Sequence, residues 1–332
     1  MKALLLNIRD DFFSVNALYF FAFSVIVSVL SFPLDFYGDF ILEHRFGLSN
    51  QSLKDWFKDV FKKACVGFVV SLILVEAVYF FLSQFSRSWW IWAAVFWLFV
   101  SVVVTRIYPK VILPLFYHPK PLEGGELRNR IFALLEKCKI PLKEVYVLDF
   151  SKKTVKANAM VTGLGATKQI YLSDTLLAEF PANEIETVLA HEVGHYVSRD
   201  TLKLSIMSFC SALISFFFIG IILDRLTIYF GFSAISDIAG LPLLSGILIL
   251  ASLSLAPLQN GYSRFLEDRA DVFALKTTQD TGGFISAMER LGKKNFSDFS
   301  PSKFVEVFLY THPPLSKRIA RAKGFSSLKG AR

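Results

Sequence analysis

Charge is scarce in this 332-residue chain: Asp, Glu, Lys and Arg make up 19% of it, against 53% for hydrophobic residues, with 35 phenylalanines. The apolar residues are bunched into long runs, which points to bilayer spans more than to one oversized soluble core. Cysteine is scarce too. Cys65, Cys138 and Cys210 lie far apart and form no CxxC pair, so neither a disulfide framework nor a thiolate metal site is expected. The net charge of +8 comes without any basic cluster interleaved with aromatics, which argues against nucleic acid as a partner. There is no internal repeat and no low-complexity tract. The opening MKALLLNIRDDFF has only a very short apolar stretch followed by acids, so it does not read as a cleavable signal peptide.

What is present in abundance is long apolar runs. Five approach the roughly 20 residues of helix that cross a bilayer: 14–34, 64–82, 89–108, 204–223 and 238–258. They divide the chain into a membrane region with three spans (1–108), a polar region (109–203), two further spans (204–258) and a second polar region (259–332). Trp89, Trp90 and Trp92 open the third span, where an interfacial aromatic belt would sit. Glu76 lies inside the second span and is expected to turn toward the helix bundle, since a lipid-facing carboxylate is costly.

Lys and Arg give the expected orientation. Residues 106–204 hold 14 of them and 260–332 hold 13, whereas the first 13 residues, the 86–89 turn and the 224–237 loop hold 4 together. The remaining 5, in the 35–63 loop, are balanced by acids. The positive-inside rule puts both large polar regions in the cytoplasm and the N-terminus outside.

The first polar region reads as α/β. A helix is expected over 127–139, strands over 144–150, 158–161 and 169–172 (the last two flanking Gly163-Leu164-Gly165), and a helix over 183–197 with Asn183 as its N-cap. That last helix carries HEVGH, His191 to His195. Residues i and i+4 share a helix face, so two imidazoles reach one tetrahedral ion, and Glu192 between them is placed to act as general base on water. A catalytic zinc site, one ion per chain, needs a third protein ligand. Glu267 is the candidate, in SRFLEDRAD (263–271). Asp271, one turn on, could accept a hydrogen bond from a ligand histidine. Asp268 is the rival ligand, about 100° away around the helix. His195 lies 9 residues before the fourth span and Glu267 lies 9 after the fifth. If both spans continue as helices, an antiparallel hairpin brings the two ligand sets to one height.

HEVGHY followed by two spans and then SRFLEDRAD resembles the type I CAAX prenyl proteases and the related bacterial HtpX-like proteases. The likeness extends through EHRFGLSN (43–50), ILPLF (112–116), SKKTVKANA (151–159), YLSDTLL (171–177) and THPPL (311–315). It implies an α-helical polytopic membrane protein with a cytosolic α/β zincin-like metalloprotease domain. In that frame His191, His195 and Glu267 bind Zn2+ and Glu192 activates water. Asn158 and Ala159 bind the substrate backbone by strand addition, and His312 and Arg318 lie near the metal to stabilise the developing oxyanion. The implied substrate is a peptide or protein with a prenylated C-terminal CaaX sequence, met at the lipid bilayer. The larger eukaryotic relatives have two more spans than the five read here, Met160 stands where an aromatic is frequent, and Lys156 where some have His. A lipid-independent quality-control protease and a non-enzymatic membrane partner with a structural zinc are the readings from other classes; an intact Glu192 argues against the last, because a structural site does not need that carboxylate.

Overall fold

The computed structural model describes residues 11–141, 144–163 and 169–330. The chain divides into two compact units. The opening segment read against a signal peptide lies largely outside the described residues, as do Leu164 and Gly165.

The first unit takes the described part of Met1–Glu43 together with Ser52–Val102 and Ser205–Leu255. Helix α1 (Phe12–Phe36) is capped by Asp11, whose carboxylate accepts from the Ser14 N–H at 2.9 Å, and runs on through a π-helical stretch, Tyr37–Leu42. Ser52 caps α2 (Leu53–Gln84) in the same way. Helix α3 (Trp89–Ile107) follows and passes into a second π-helical stretch, Tyr108–Ile112. Five described helices are long and apolar enough to cross a membrane: Phe12–Arg45, Leu53–Gln84, Trp89–Phe116, Asp200–Tyr229 and Ile238–Thr278. Each runs beyond the span read from hydropathy, because helix continues into polar residues once the backbone is hydrogen-bonded. Inside this unit Tyr19, Tyr79, Leu82 and Trp89 are buried with Ile219 and Leu223. Leu30, Leu34 and Ile228 stand outward, 73%, 77% and 82% exposed, as lipid-facing side chains do. Asn16 donates to Glu76 Oε2 at 3.4 Å, so the intramembrane carboxylate does turn toward a bundle partner.

The second unit comprises His44–Gln51, Val103–Leu204 and Ala256–Arg332. Its sheet has the order β1 (Lys120–Pro121), β2 (Val145–Leu148), β4 (Gln169–Ser173), β3 (Ala159–Thr162). The β2–β4 pair is parallel and the outer pairs antiparallel, which leaves β3 at an edge. Helix α4 (Glu126–Lys137), α5 (Asp174–Glu179) and α6 (Ala182–Ser198) pack with the sheet around Ile131, Leu135, Ile170, Leu172, Leu176 and Leu189. Helix α7 (Asp200–Tyr229), α8 (Leu241–Thr278), α9 (Thr281–Lys294), α10 (Lys303–Leu309) and α11 (Leu315–Gly330) complete the chain. The 44–51 loop joins this unit through a bridge between Ser49 and Thr154 and a hydrogen bond from Asn50 N to Lys153 O, 2.9 Å. The EHRFGLSN stretch thereby props the segment that leads into β3.

Two local expectations differ from what is observed. Helix α6 starts one residue early, with Pro181 at the N-cap and φ already at −67°; Asn183 sits inside the first turn and donates instead to Asp280 Oδ2. The fourth span does not continue back into the HEVGH helix either. Arg199 adopts a left-handed conformation, φ 55°, which closes α6, and α7 begins as a separate helix at Asp200. Only α8 runs unbroken from its apolar half to Glu267.

Candidate active site

Helices α6 and α8 meet where Gly194 faces Ala270. A Cβ on Gly194 would come within 3.1 Å of the Ala270 Cα, so the glycine inside HEVGH permits the contact that brings the two motifs together. On α6 the imidazoles of His191 and His195 share one face, and on α8 Glu267 and Asp271 share another. His191 Nε2 and His195 Nε2 are 3.2 Å apart, His191 Nε2 is 3.1 Å from Glu267 Oε2, and His195 Nε2 is 3.3 Å from Glu267 Oε1. One ligand atom from each residue falls within a 4.8 Å cluster.

These edges test whether a metal fits. A tetrahedral ion with bonds of about 2.0–2.1 Å separates its ligand atoms by ~3.3 Å, and the three observed separations match it. The outer ring nitrogens are already taken: His191 Nδ1 lies 2.9 Å from Asp271 Oδ1 and His195 Nδ1 lies 2.9 Å from Asp200 Oδ2. With both Nδ1 atoms donating, neutral rings turn two Nε2 lone pairs toward each other, an arrangement that asks for a cation between them. Glu267 Oε2 is buried without a well-formed hydrogen bond, as a ligand atom would be. The residues present fit the group.

Without metal, a proton takes the cation's place. Burial alone would depress the His191 pKa, but the carboxylates of Asp271 and Glu267 facing its two ring nitrogens outweigh it and push the imidazole up to about 9. Glu192 is half-buried, and burial raises its carboxyl pKa against the opposing pull of His191 and His195. Its Oε2 accepts from the Val161 N–H of β3 at 3.3 Å.

That bond fixes the phase of the edge strand. Val161 turns its N–H away from β4, and alternation along an antiparallel strand turns the N–H and C=O of Ala159 the same way. Asn158 faces inward: its carbonyl accepts from Ser173 N and its N–H donates to Ser173 Oγ, both at 2.9 Å. Of the two residues expected to bind substrate backbone, Ala159 thus offers an outward-facing peptide edge, while Asn158 spends its backbone groups on Ser173 and lines the cavity. That cavity, about 610 Å³, is also lined by Ala159, His191, Glu192, His312 and Arg318.

The two remaining candidates occupy different stations. His312 lies at the mouth, its side chain 60% exposed, with Nε2 3.2 Å from Glu267 Oε1. Desolvation lowers its pKa, with Glu267 opposing and Arg318, His191 and His195 adding to the effect. Arg318 is buried and makes a bidentate pair with Asp271, Nε to Oδ2 at 2.9 Å and Nη2 to Oδ1 at 2.5 Å. It thus acts on Asp271, which holds His191. Asp268 faces away and pairs with Arg321 at 2.6 Å. Asp200 was not foreseen. It is 2% exposed and bonded to both His195 and Lys203; five residues after His195 and across the break at Arg199, it shows no helical periodicity to that ligand.

Comparison with known proteins agrees with this geometry. Residues 121–326 match Peptidase family M48, and residues 2–118 match the family described as CAAX prenyl protease N-terminal, five membrane helices. Within the latter stretch the described residues supply three helices of spanning length. The chain is 28% identical over 308 residues to the "Uncharacterized metalloprotease YhfN" of Bacillus subtilis, covering 91% of this chain and 72% of that one. It is 29% identical to CAAX prenyl protease 1 of Saccharomyces cerevisiae, covering 89% and 69%, and 28% identical to the human CAAX prenyl protease 1 homolog, covering 93% and 74%. The crystal structure of S. mikatae Ste24p superposes with a TM-score of 0.86 at 26% identity, covering 94% of this chain and 76% of that one. The chain spans about two thirds to three quarters of the length of these relatives.

Proposed function

This chain belongs to Peptidase family M48 and is an integral-membrane metalloendopeptidase, and from that premise we propose that its metal is zinc and that it cuts prenylated CaaX substrates just after the modified cysteine. The observation that carries the substrate reading is 28–29% identity to proteins named as CAAX prenyl protease 1 or its homologs over 89–93% of this chain.

His191, His195 and Glu267 hold the ion, with Asp271 and Asp200 fixing the two rings. Zinc, when bound, supplies a Lewis acid for the scissile carbonyl and lowers the pKa of water to about 7. The substrate backbone lies along the free edge of β3 and pairs with Ala159. Glu192, its pKa raised by burial toward the working pH, takes a proton from the attacking water and passes it to the leaving amine. His312 donates to the developing oxyanion. Facing a carboxylate oxygen of Glu267, its Nε2 carries the ring proton; Nδ1 then accepts from the Thr311 hydroxyl, 3.0 Å away. Arg318 supports this from behind by holding Asp271. Residues 109–203 and 259–332 form the catalytic part and face the cytoplasm, a reading supported by the distribution of Lys and Arg.

The test is a peptide series in one detergent: farnesylated, straight-chain lipidated and unlipidated versions of one CaaX sequence. Each buried CH₂ is worth about 0.8 kcal/mol, so the farnesylated peptide should show a KM lower by orders of magnitude. Equal rates for all three would favour a lipid-independent quality-control protease.

A further inference from the structure

Helix α10 ends just before the loop that carries His312. The last four carbonyls of a helix have no partner within it, and α10, of seven residues, cannot hold its own end. Its supports come from α8. Asn260 Nδ2 donates to Phe308 O at 2.7 Å. Arg264 Nη1 donates to Glu306 O at 2.7 Å and to Tyr310 O at 2.6 Å. A cation here also complements the negative end of the helix dipole. Asn260, Arg264, Glu267 and Asp271 follow one another at spacings of four, three and four, and therefore form one stripe along α8.

We propose that Arg264, assisted by Asn260, is a positioning residue for His312: it sets the distance between that imidazole and the metal ligand Glu267. The carbonyl it grips at Tyr310 lies two residues before His312. The ligand Glu267 lies one turn beyond it on the same rigid helix. The loop is anchored on its far side by Ser316 N to Phe299 O at 3.1 Å and by Lys317 to Glu306 at 2.6 Å, so Arg264 governs the side on which His312 sits. Without it, Glu306 O and Tyr310 O lose their common donor and the imidazole is free to swing out of the cavity mouth. The inference rests on the role given to His312 above.

The experiment is a double-mutant cycle with Arg264→Ala and His312→Ala in the full-length, zinc-loaded protein. Metal content and hydrogen exchange of residues 303–314 are measured beside kcat and KM on the farnesylated peptide. Arg264→Ala should lower kcat by 10- to 100-fold, leave KM within threefold and keep full zinc occupancy. In the His312→Ala background the same change should cost less than threefold. Exchange should rise at least tenfold at the hydrogen-bonded amides 306–309 of α10, whose end Arg264 holds, and stay unchanged in 182–198. Arg264→Lys, which keeps the charge and a donor group but not the guanidinium's reach, should recover part of the activity, and it serves with Asn260→Ala if Arg264→Ala does not accumulate. Losses that multiply in the double mutant, or zinc released by Arg264→Ala alone, would overturn the proposal. A silent His312→Ala would remove the catalytic role of His312 itself. Unchanged exchange in 306–309 would refute the positioning role even if no peptide were cleaved.

Discussion

The two units handle buried polarity in opposite ways. In the membrane unit the buried side chains are almost all aromatic or aliphatic, and Asn16, Ser211 and Thr227 are the buried polar exceptions among the described residues. In the catalytic unit Glu184, His191, Asp200, Glu267, Asp271 and Arg318 are all buried, and each is held by at least one partner of opposite or complementary character. A buried charge is tolerated only when paired or bound to a metal. The first unit is therefore held by apolar packing, which tolerates single losses on its lipid-facing side. The second depends on a connected set of charges that fails when one member is removed.

The sharpest way to break that contrast is to delete a ligand. Glu267→Ala should release the metal and bring peptidase activity to background, whereas Asp268→Ala, one residue on, should keep full occupancy; atomic absorption on the purified variants decides it. Asp268→Ala stripping the metal would reverse the ligand assignment.

A second comparison sets core against lipid face. Leu135→Ala, in the fully buried core of the catalytic unit, should cost about 2–5 kcal/mol. Leu30→Ala, 73% exposed on the membrane unit, should change thermal stability in detergent by much less. Melting curves of the two variants suffice, and equal losses would contradict the division.

How legible these features were depends on how local they are. The five spans were visible because lipid imposes its demand on every residue of a run. HEVGH was visible because its two imidazoles are four apart on one helix, and Glu267 with Asp271 for the same reason. What tertiary contact alone supplies was not visible. Asp200 reaches His195 only because Arg199 breaks the helix, and Ser173 holds Asn158 only through the β3–β4 register. Arg318 was placed near the metal only through the family resemblance, and its pairing with Asp271, 47 residues away in sequence, leaves no local signal. The Asn183 cap failed because Pro181 had already set the backbone.

Smaller effects separate the supports of the two rings. Asp271→Asn and Asp200→Asn should each weaken metal affinity by about 10–100-fold, as read by competition with a chelator. An unchanged affinity in Asp200→Asn would mean that His195 is oriented without it.

The smallest effect is a single proton. The His191 pKa in the metal-free protein is raised to about 9, so the proton it gains on folding stabilises the apoprotein fully below about pH 6.5, and that contribution is lost as pH rises through 9. A metal must displace that proton. Zinc uptake at pH 7 should therefore release at least one proton, seen as a dependence of calorimetric heat on buffer ionisation enthalpy, and metal affinity should rise with pH until about 9. Uptake without proton release would mean that His191 is already neutral in the apoprotein.

The central claim is that three side chains hold the ion while a fourth, Glu192, moves the proton. Glu192→Gln separates these functions, because the amide keeps the size of the carboxylate but cannot act as base. Metal content and peptide cleavage should be measured on the same preparation of that variant. The account predicts one ion per chain with a rate reduced by about 10²–10⁴-fold. Cleavage near the wild-type rate with the ion in place would contradict it.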